Sequence, residues 1–291
     1  MKRFFILASA AIVALASCAK TEVVYNDAPE EIALSTVNMP MTKAFTANMT
    51  VFAYLNGEKY FGNTTFAQNG TYWKATSAKY WPVSGTLDFL VWAPANANIG
   101  SDNATNLKGI SKDTDDQVDL LYGSASGDKD DVKVDVTLNH ALSKVQINVK
   151  GDASVFLLGV ELLNSTQKAT AVVNFNPTPA IAWTADATAP KLASKALYTP
   201  ADDVNGDALS PSAAKECPEF YVVPLDADDA SIKLTYKMAG SDATLEYTTS
   251  SGDLGEWVEG KHYIYNISVG ATEIQLNPEV ATWGIPEEKT L

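Results

Sequence analysis

The sequence is poor in the residues that usually carry chemistry. Arginine occurs once, at Arg3, and histidine twice, at His140 and His262. Cysteine also occurs twice, at Cys18 and Cys217. Without arginine beyond residue 3, the chain lacks the planar fork that clamps phosphates and carboxylates in two places at once. Neither histidine sits in a Ser-His-Asp set, an HExxH helix or a Cys/His metal spacing. His140 is expected to pack or hydrogen-bond between two strand-rich regions, and His262 to lie solvated on the polar face of its strand. Helical periodicity is missing too, because no stretch of ten or more residues repeats at 3.6. Positive charge is scarce: 35 acidic residues face 21 basic ones, a net charge of −14. Such a surface repels nucleic-acid backbones. With these absences the chain is expected not to be an enzyme and to take no cofactor or metal.

Acidic residues leave two other chemistries open to inspection of the sequence. Asp113, Asp115, Asp116 and Asp119 are close together, but an EF-hand starting at Asp113 would have Val118 and Ser124 where glycine and glutamate belong. A solvated acidic loop is the better description. Carboxylate pairs of the glycosidase kind have no shortage of candidates, but nothing singles out one pair.

The N-terminus is more informative. Lys2-Arg3 precedes an apolar run, Phe4 to Ala16, which is 13 residues long. A bilayer-spanning helix needs roughly 20. Leu15-Ala16-Ser17-Cys18 follows, the pattern of a lipoprotein cleavage site. Residues 1–17 are therefore expected to be a signal peptide, with Cys18 lipidated in its place. A multiply acylated anchor holds a membrane firmly. The expected address is outside the inner membrane of a bacterium, tethered by the N-terminus. Residues 18–30 read as a tether, in which Lys20 and Glu22 are either part of a surface-export signal or plain linker. With Cys18 acylated, Cys217 has no disulfide partner and reads as a small buried residue.

Beyond the tether, apolar and polar residues alternate with period two, as in strands with one buried face. Val132–Leu138, Val145–Val149, Ile232–Met238 and Tyr263–Val269 are the clearest cases. Shorter candidates are Ile32–Ser35, Val51–Leu55, Leu87–Trp92, Val155–Leu163, Ala171–Phe175, Phe220–Val223 and Leu245–Tyr247. One-sided strands imply sheets packed face to face, an all-β sandwich architecture. Ala93–Asp116 and Asn176–Cys217 read as long irregular stretches. A domain boundary is expected near Asn139-His140-Ala141, giving an N-terminal β-sandwich over 31–138 and a C-terminal one over 139–291.

Several short motifs then stand in a familiar order. Ile32-Ala33-Leu34-Ser35-Thr36 comes first, then Thr42-Lys43-Ala44 and Val51-Phe52-Ala53-Tyr54. Tyr80-Trp81-Pro82 precedes Leu87-Asp88-Phe89-Leu90-Val91-Trp92-Ala93-Pro94. Asp119-Leu120-Leu121-Tyr122 and Leu138-Asn139-His140-Ala141-Leu142-Ser143-Lys144-Val145 follow. Tyr221-Val222-Val223-Pro224, Trp257-Val258-Glu259-Gly260-Lys261-His262-Tyr263 and Val280-Ala281-Thr282-Trp283 complete the set. Behind a lipoprotein signal, this ordered set resembles the Mfa-like fimbrillins of Bacteroidales, lipoprotein precursors of pili.

The resemblance implies two tandem transthyretin-like β-sandwiches and a role in cell adhesion. It implies assembly with other fimbrial subunits, like or related, at the outer membrane or in the fimbrium. It also implies a trypsin-like protease that removes the first strand, after which a terminal strand of another subunit fills the gap. The cleavage residue would be Lys43, where family members often carry arginine; whether the subunit forms the stalk or stays as an anchor turns on that position. Ile274, Leu276, Val280 and Trp283 are the expected anchors of the donated strand. The surface ligand, host or bacterial, is not specified. A second reading is a surface glycan-binding lipoprotein of a polysaccharide-utilisation system, with Tyr72, Trp73, Tyr80, Trp81 and Trp92 as a sugar platform.

Overall fold

A computed structural model describes residues 30–37, 47–95, 104–107, 118–131, 133–166, 169–174, 180–188, 191, 195–202, 204–225, 229–250 and 252–283. Cys18 and Lys43 lie outside the described residues, as do Asp113, Asp115 and Asp116. The described chain is all strand and turn, without a helix.

Seven strands form the first unit. They are β1 (Ala33–Val37), β2 (Met49–Leu55), β3 (Glu58–Asn69), β4 (Tyr72–Ala75), β5 (Leu87–Ala93), β7 (Leu121–Gly127) and β8 (Val134–His140). They close on themselves in the order β1-β4-β3-β2-β5-β7-β8. The closure depends on β1, which runs antiparallel to β4 on one side and parallel to β8 on the other. The alternation implies sheets packed face to face; the structure instead closes this unit, and with β1 in place it has no free edge, which removes the usual hazard of unpaired strand edges.

β5 explains why Phe89–Ala93 is a continuous apolar run. Leu87, Phe89, Val91 and Ala93 face the barrel core, while Leu90 and Trp92 enter a second cluster outside it. A strand buried on both faces has no polar side to alternate with. The β2–β3 hairpin turns at Asn56-Gly57, both at positive φ, as a two-residue turn of this kind requires.

Strand β9 (Ser143–Gly151) begins three residues after β8 ends and belongs to a different sheet. That sheet has β9 at its centre, flanked by β19 (Lys261–Val269) on one side and by β15 (Lys215–Glu216) and β16 (Phe220–Val222) on the other; β20 (Ile274–Thr282) continues it beyond β19. A second sheet holds β13 (Lys195–Tyr198), β14 (Asp207–Ala208), β10 (Val155–Leu163), β17 (Ser231–Met238) and β18 (Thr244–Thr248). Residues of both sheets meet in one core, among them Val145, Ile147, Leu157, Val160, Ile232 and Tyr265. Cys217 lies in this core, and burial pushes its thiol pKa up to about 12.

A third, small sheet joins β6 (Ala104–Leu107), β11 (Ala169–Asn174) and β12 (Ala180–Ala185). It corrects the reading of 93–116 and 176–217 as irregular: the first contains β6, and the second contains β12, β13, β14 and β15. These strands are two to six residues long, too short to establish a period. Phe52, Leu90, Trp92, Leu120 and Tyr122 from the barrel pack with Ala141, Leu142, Ala171 and Val173 in the cluster outside it. The Trp183 indole N–H donates to the carbonyl of Ala141 at 2.9 Å across this contact.

Candidate functional site: the slot of the first strand and the terminal edge strand

β1 is short, and its grip on the barrel is specific at each residue. Ile32 and Leu34 are fully buried in the barrel core. Burying one such side chain contributes roughly 1.5–3 kcal/mol. Ala33 and Ser35, on the opposite face, are also covered. At the start of the strand the Ile32 N–H donates to the Lys79 carbonyl at 2.8 Å and the Trp81 N–H to Glu30 at 3.1 Å. The Lys74 ammonium meets the Glu31 carboxylate at 2.9 Å.

Two residues beyond Ala33, the Ser35 hydroxyl donates to the Asp135 carboxylate, and the Lys133 ammonium contacts both. Lys133, followed by Ser35, holds the Asp135 carboxyl below the usual carboxylate range. The strand is therefore pinned by two apolar plugs between two polar clamps, one acidic and one hydroxyl, four residues apart. Beside Ala33 a solvent-open cleft of about 700 Å³ is bordered by Glu31, Asn69, Tyr72, Lys74 and Asp131.

β20 is the other element of interest. It pairs antiparallel with β19 through nine residue pairs, from Val269↔Ile274 to Lys261↔Thr282, and stands at the edge of its sheet. Ile274 and Leu276 are only half-buried and pack against the C-terminal core. Val280 is 58% exposed. Trp283, just past the strand, lies against the cluster outside the barrel. The four expected donor-strand anchors are thus spread over three environments.

Trp283 stacks on His140 with ring centroids 3.7 Å apart, and on Tyr221 at 5.1 Å. The Lys144 ammonium lies 5.5 Å from its ring centroid. His140 is buried, and its Nδ1 is 2.9 Å from the Asp119 carboxylate. It packs and hydrogen-bonds at the junction, while Asp119, expected in a solvated acidic loop, is its partner. His262 departs from expectation. Its side chain is mostly covered, its Nε2 has no hydrogen-bond partner, and Glu219 is 3.8 Å away. Burial, then the nearby Lys144, holds its pKa below the ordinary histidine value. The reason is position: β19 lies between β9 and β20, so neighbours on both sides shelter its outer face.

The aromatic platform does not form. Trp73, Trp81 and Trp92 are buried, and Trp81 meets Phe89 edge to face at 5.7 Å. Among these five aromatics only Tyr72 and Tyr80 reach the surface to any extent. Among the described residues, no group of three or more His, Cys, Asp or Glu side chains could hold a metal ion.

Comparison with known proteins bears on the same span. A family described as fimbrillin-like matches residues 36–283. A candidate fimbrium subunit of Bacteroides uniformis, Fim1C, is 23% identical over 239 residues, covering 78% of this chain and 72% of the relative. Two crystal structures of candidate cell adhesion proteins share the fold. The one from Bacteroides uniformis is 18% identical with a TM-score of 0.63, covering 87% of this chain and 98% of that one. The one from Bacteroides ovatus is 15% identical with a TM-score of 0.60, covering 89% and 100%.

Proposed function

The chain belongs to the fimbrillin-like family, and from that premise we propose that it is a non-enzymatic fimbrial subunit serving cell-surface adhesion. In this reading it is exported as a lipoprotein through Cys18 and reaches the outer membrane. A trypsin-like protease then cuts at Lys43, and the loss of β1 makes the subunit competent to join others. Two transthyretin-like sandwiches, divided near residue 139, are the units of this design. Removing β1 turns the first from a closed barrel into an open sandwich.

The observation that carries the proposal is the placement of β1. It is the one strand that joins β4 to β8, and the residues after it lead to Lys43. Without it, the sheet would expose two edges and the pits now filled by Ile32 and Leu34. Such an opening invites strand addition, in which main-chain hydrogen bonds give affinity and alternate side chains set the register. Keeping β1 in place until export is complete prevents premature assembly.

The test is limited digestion of the mature protein with trypsin, followed by native gels and mass spectrometry. Cut protein is expected to form ladders, and Lys43→Ala protein to remain monomeric after the same treatment. Cut protein that stays monomeric at high concentration would overturn strand-exchange assembly.

A further inference from the structure

We propose that the cleft beside β1 binds a neutral oligosaccharide, and that it is complete only while β1 is in place. The proposal rests on the adhesion reading above and gives that role a ligand class and a location. The cleft is open to solvent and about 700 Å³ in volume, within the roughly 300–1,000 Å³ of small-molecule sites. Segments far apart in sequence meet around it. Glu30, Glu31 and Ala33 come from β1 and the residues before it, Tyr72 and Lys74 from the outward face of β4, and Asp131 from the turn ahead of β8.

The lining selects first by charge. The carboxylates of Glu30, Glu31 and Asp131 stand against one ammonium, that of Lys74, which is already paired with Glu31 at 2.9 Å. Phosphorylated, sulfated and uronic ligands meet net repulsion there, and the lining has no arginine to clamp them. A lipid tail finds little to cover it, since Tyr72 is the one large apolar side chain of the lining. A neutral sugar fits instead. Its hydroxyls both donate and accept, as do the Asn69 amide and the Thr71 hydroxyl at the β3–β4 turn, while the carboxylates accept and Lys74 donates. The Tyr72 ring adds a flat apolar body with a polar tip. Asp131 is held in place by its own turn: its carboxylate accepts from the Asp128 N–H at 2.9 Å, and its N–H donates to the Asp128 carbonyl at 3.0 Å.

Beyond the Lys74–Glu31 pair the surface continues onto two tyrosines. Tyr80 forms an isolated antiparallel bridge with Glu31, and residues opposite each other in such a bridge project from one face. The Tyr60 hydroxyl donates to the Tyr80 carbonyl at 3.1 Å. Tyr60 is 41% exposed and Tyr80 43%, so both are open to a ligand. An oligosaccharide longer than the cleft would meet them next. This is not the platform read from the sequence, because Trp73, Trp81 and Trp92 lie in the cores and Tyr60 takes part. A second cleft, of about 300 Å³ beside Lys150 and Glu273, has no aromatic side chain in its lining and offers no such surface.

β1 and the residues before it supply one wall of the cleft. Loss of the strand takes Glu30, Glu31 and Ala33 out of the site and leaves Lys74 without Glu31. Sugar binding and retention of the strand are therefore linked. A ligand that needs β1 in place lowers the population of the released form about a hundredfold when present at about a hundredfold over its Kd. The form that keeps β1 is the one that grips the sugar, and the form that has lost β1 gives up that grip.

The test begins with the mature chain, β1 intact, on an array of neutral oligosaccharides and of oligosaccharides bearing uronic or sialic acid. Neutral members are expected to bind with a millimolar or tighter Kd, and acidic ones not. Tyr72→Ala and Asp131→Ala should each weaken the best neutral ligand at least about tenfold, with little change in the urea midpoint because neither side chain is in a core. Tyr80→Ala should weaken only the longer members. Gln275→Ala, at the second cleft, should change nothing. Binding of no neutral member, or binding unaffected by Tyr72→Ala, overturns the inference. The link to β1 is read on protein with a site-specific protease sequence in place of residues 40–45. After cutting, bound sugar should slow the release of labelled β1, and Tyr72→Ala should abolish that protection. Release at one rate with and without sugar overturns the link. Cells displaying the protein separate this inference from the reading beneath it. Tyr72→Ala cells that adhere to epithelial or bacterial layers at the wild-type level leave adhesion standing without this site. Wild-type cells that adhere no better than cells lacking the protein remove the adhesion reading itself.

Discussion

The Trp283 indole lies on the His140 imidazole with planes 10° from parallel, and so ties the end of the terminal strand to the end of β8. The Trp283 N–H also donates to the Gly260 carbonyl at 2.9 Å. The last described residue is thereby fastened to the junction between the barrel and the C-terminal sheets.

Replacing Trp283 with alanine should loosen β20 without unfolding either core. Truncation of a half-buried tryptophan is expected to cost about 1–3 kcal/mol in urea unfolding, below the cost at a fully buried site. Amide exchange should quicken in β20 and stay unchanged in β9. Equal acceleration in both strands would mean that Trp283 supports the whole domain and not the strand end.

Leu34→Ala should destabilise the intact chain by about 2–5 kcal/mol, the range for a fully buried leucine. In protein already freed of β1 the same substitution leaves with the strand, so the two forms should unfold at one midpoint. A persistent difference after removal of β1 would show that position 34 acts elsewhere.

The Ser35–Asp135–Lys133 clamp has a defined pH window. The Asp135 pKa is lowered in the folded state, so its contribution is present above the unfolded aspartate value of about 3.9 and is lost as pH falls through the folded value. Asp135→Asn protein should unfold at lower urea than wild type at pH 7. The gap should begin to narrow below about pH 4 and close as pH falls through the lowered folded value. A gap that persists unchanged at pH 2 would exclude ionisation of Asp135 as its cause.

Cys217 should be inert to maleimide at pH 8 in the folded protein and react on unfolding, because its pKa is pushed up to about 12 and its side chain is enclosed. Rapid labelling of native protein would contradict the packing around it.

Cys18→Ala should abolish acyl labelling and membrane retention of the mature chain. Unchanged labelling of the variant would remove Cys18 as the anchor.

The sequence by itself determined where one-sided strands run. β8, β9, β17 and β19 follow the alternation at Val132–Leu138, Val145–Val149, Ile232–Met238 and Tyr263–Val269 within a few residues, because a strand with one wet face must alternate. β3 escaped that reading for a local reason. The register shifts within it, and Asn63 lies at positive φ. Phe61 and Phe66, an odd five residues apart, therefore both face the core. The tertiary structure alone decided that β1 lies parallel to β8, joining Ser35 to Asp135 across 100 residues. It likewise decided that β6 joins β11 and that Trp283 rests on His140. Such pairings depend on which edges and faces remain open after the local strands have formed, and a period of two carries no information about the partner.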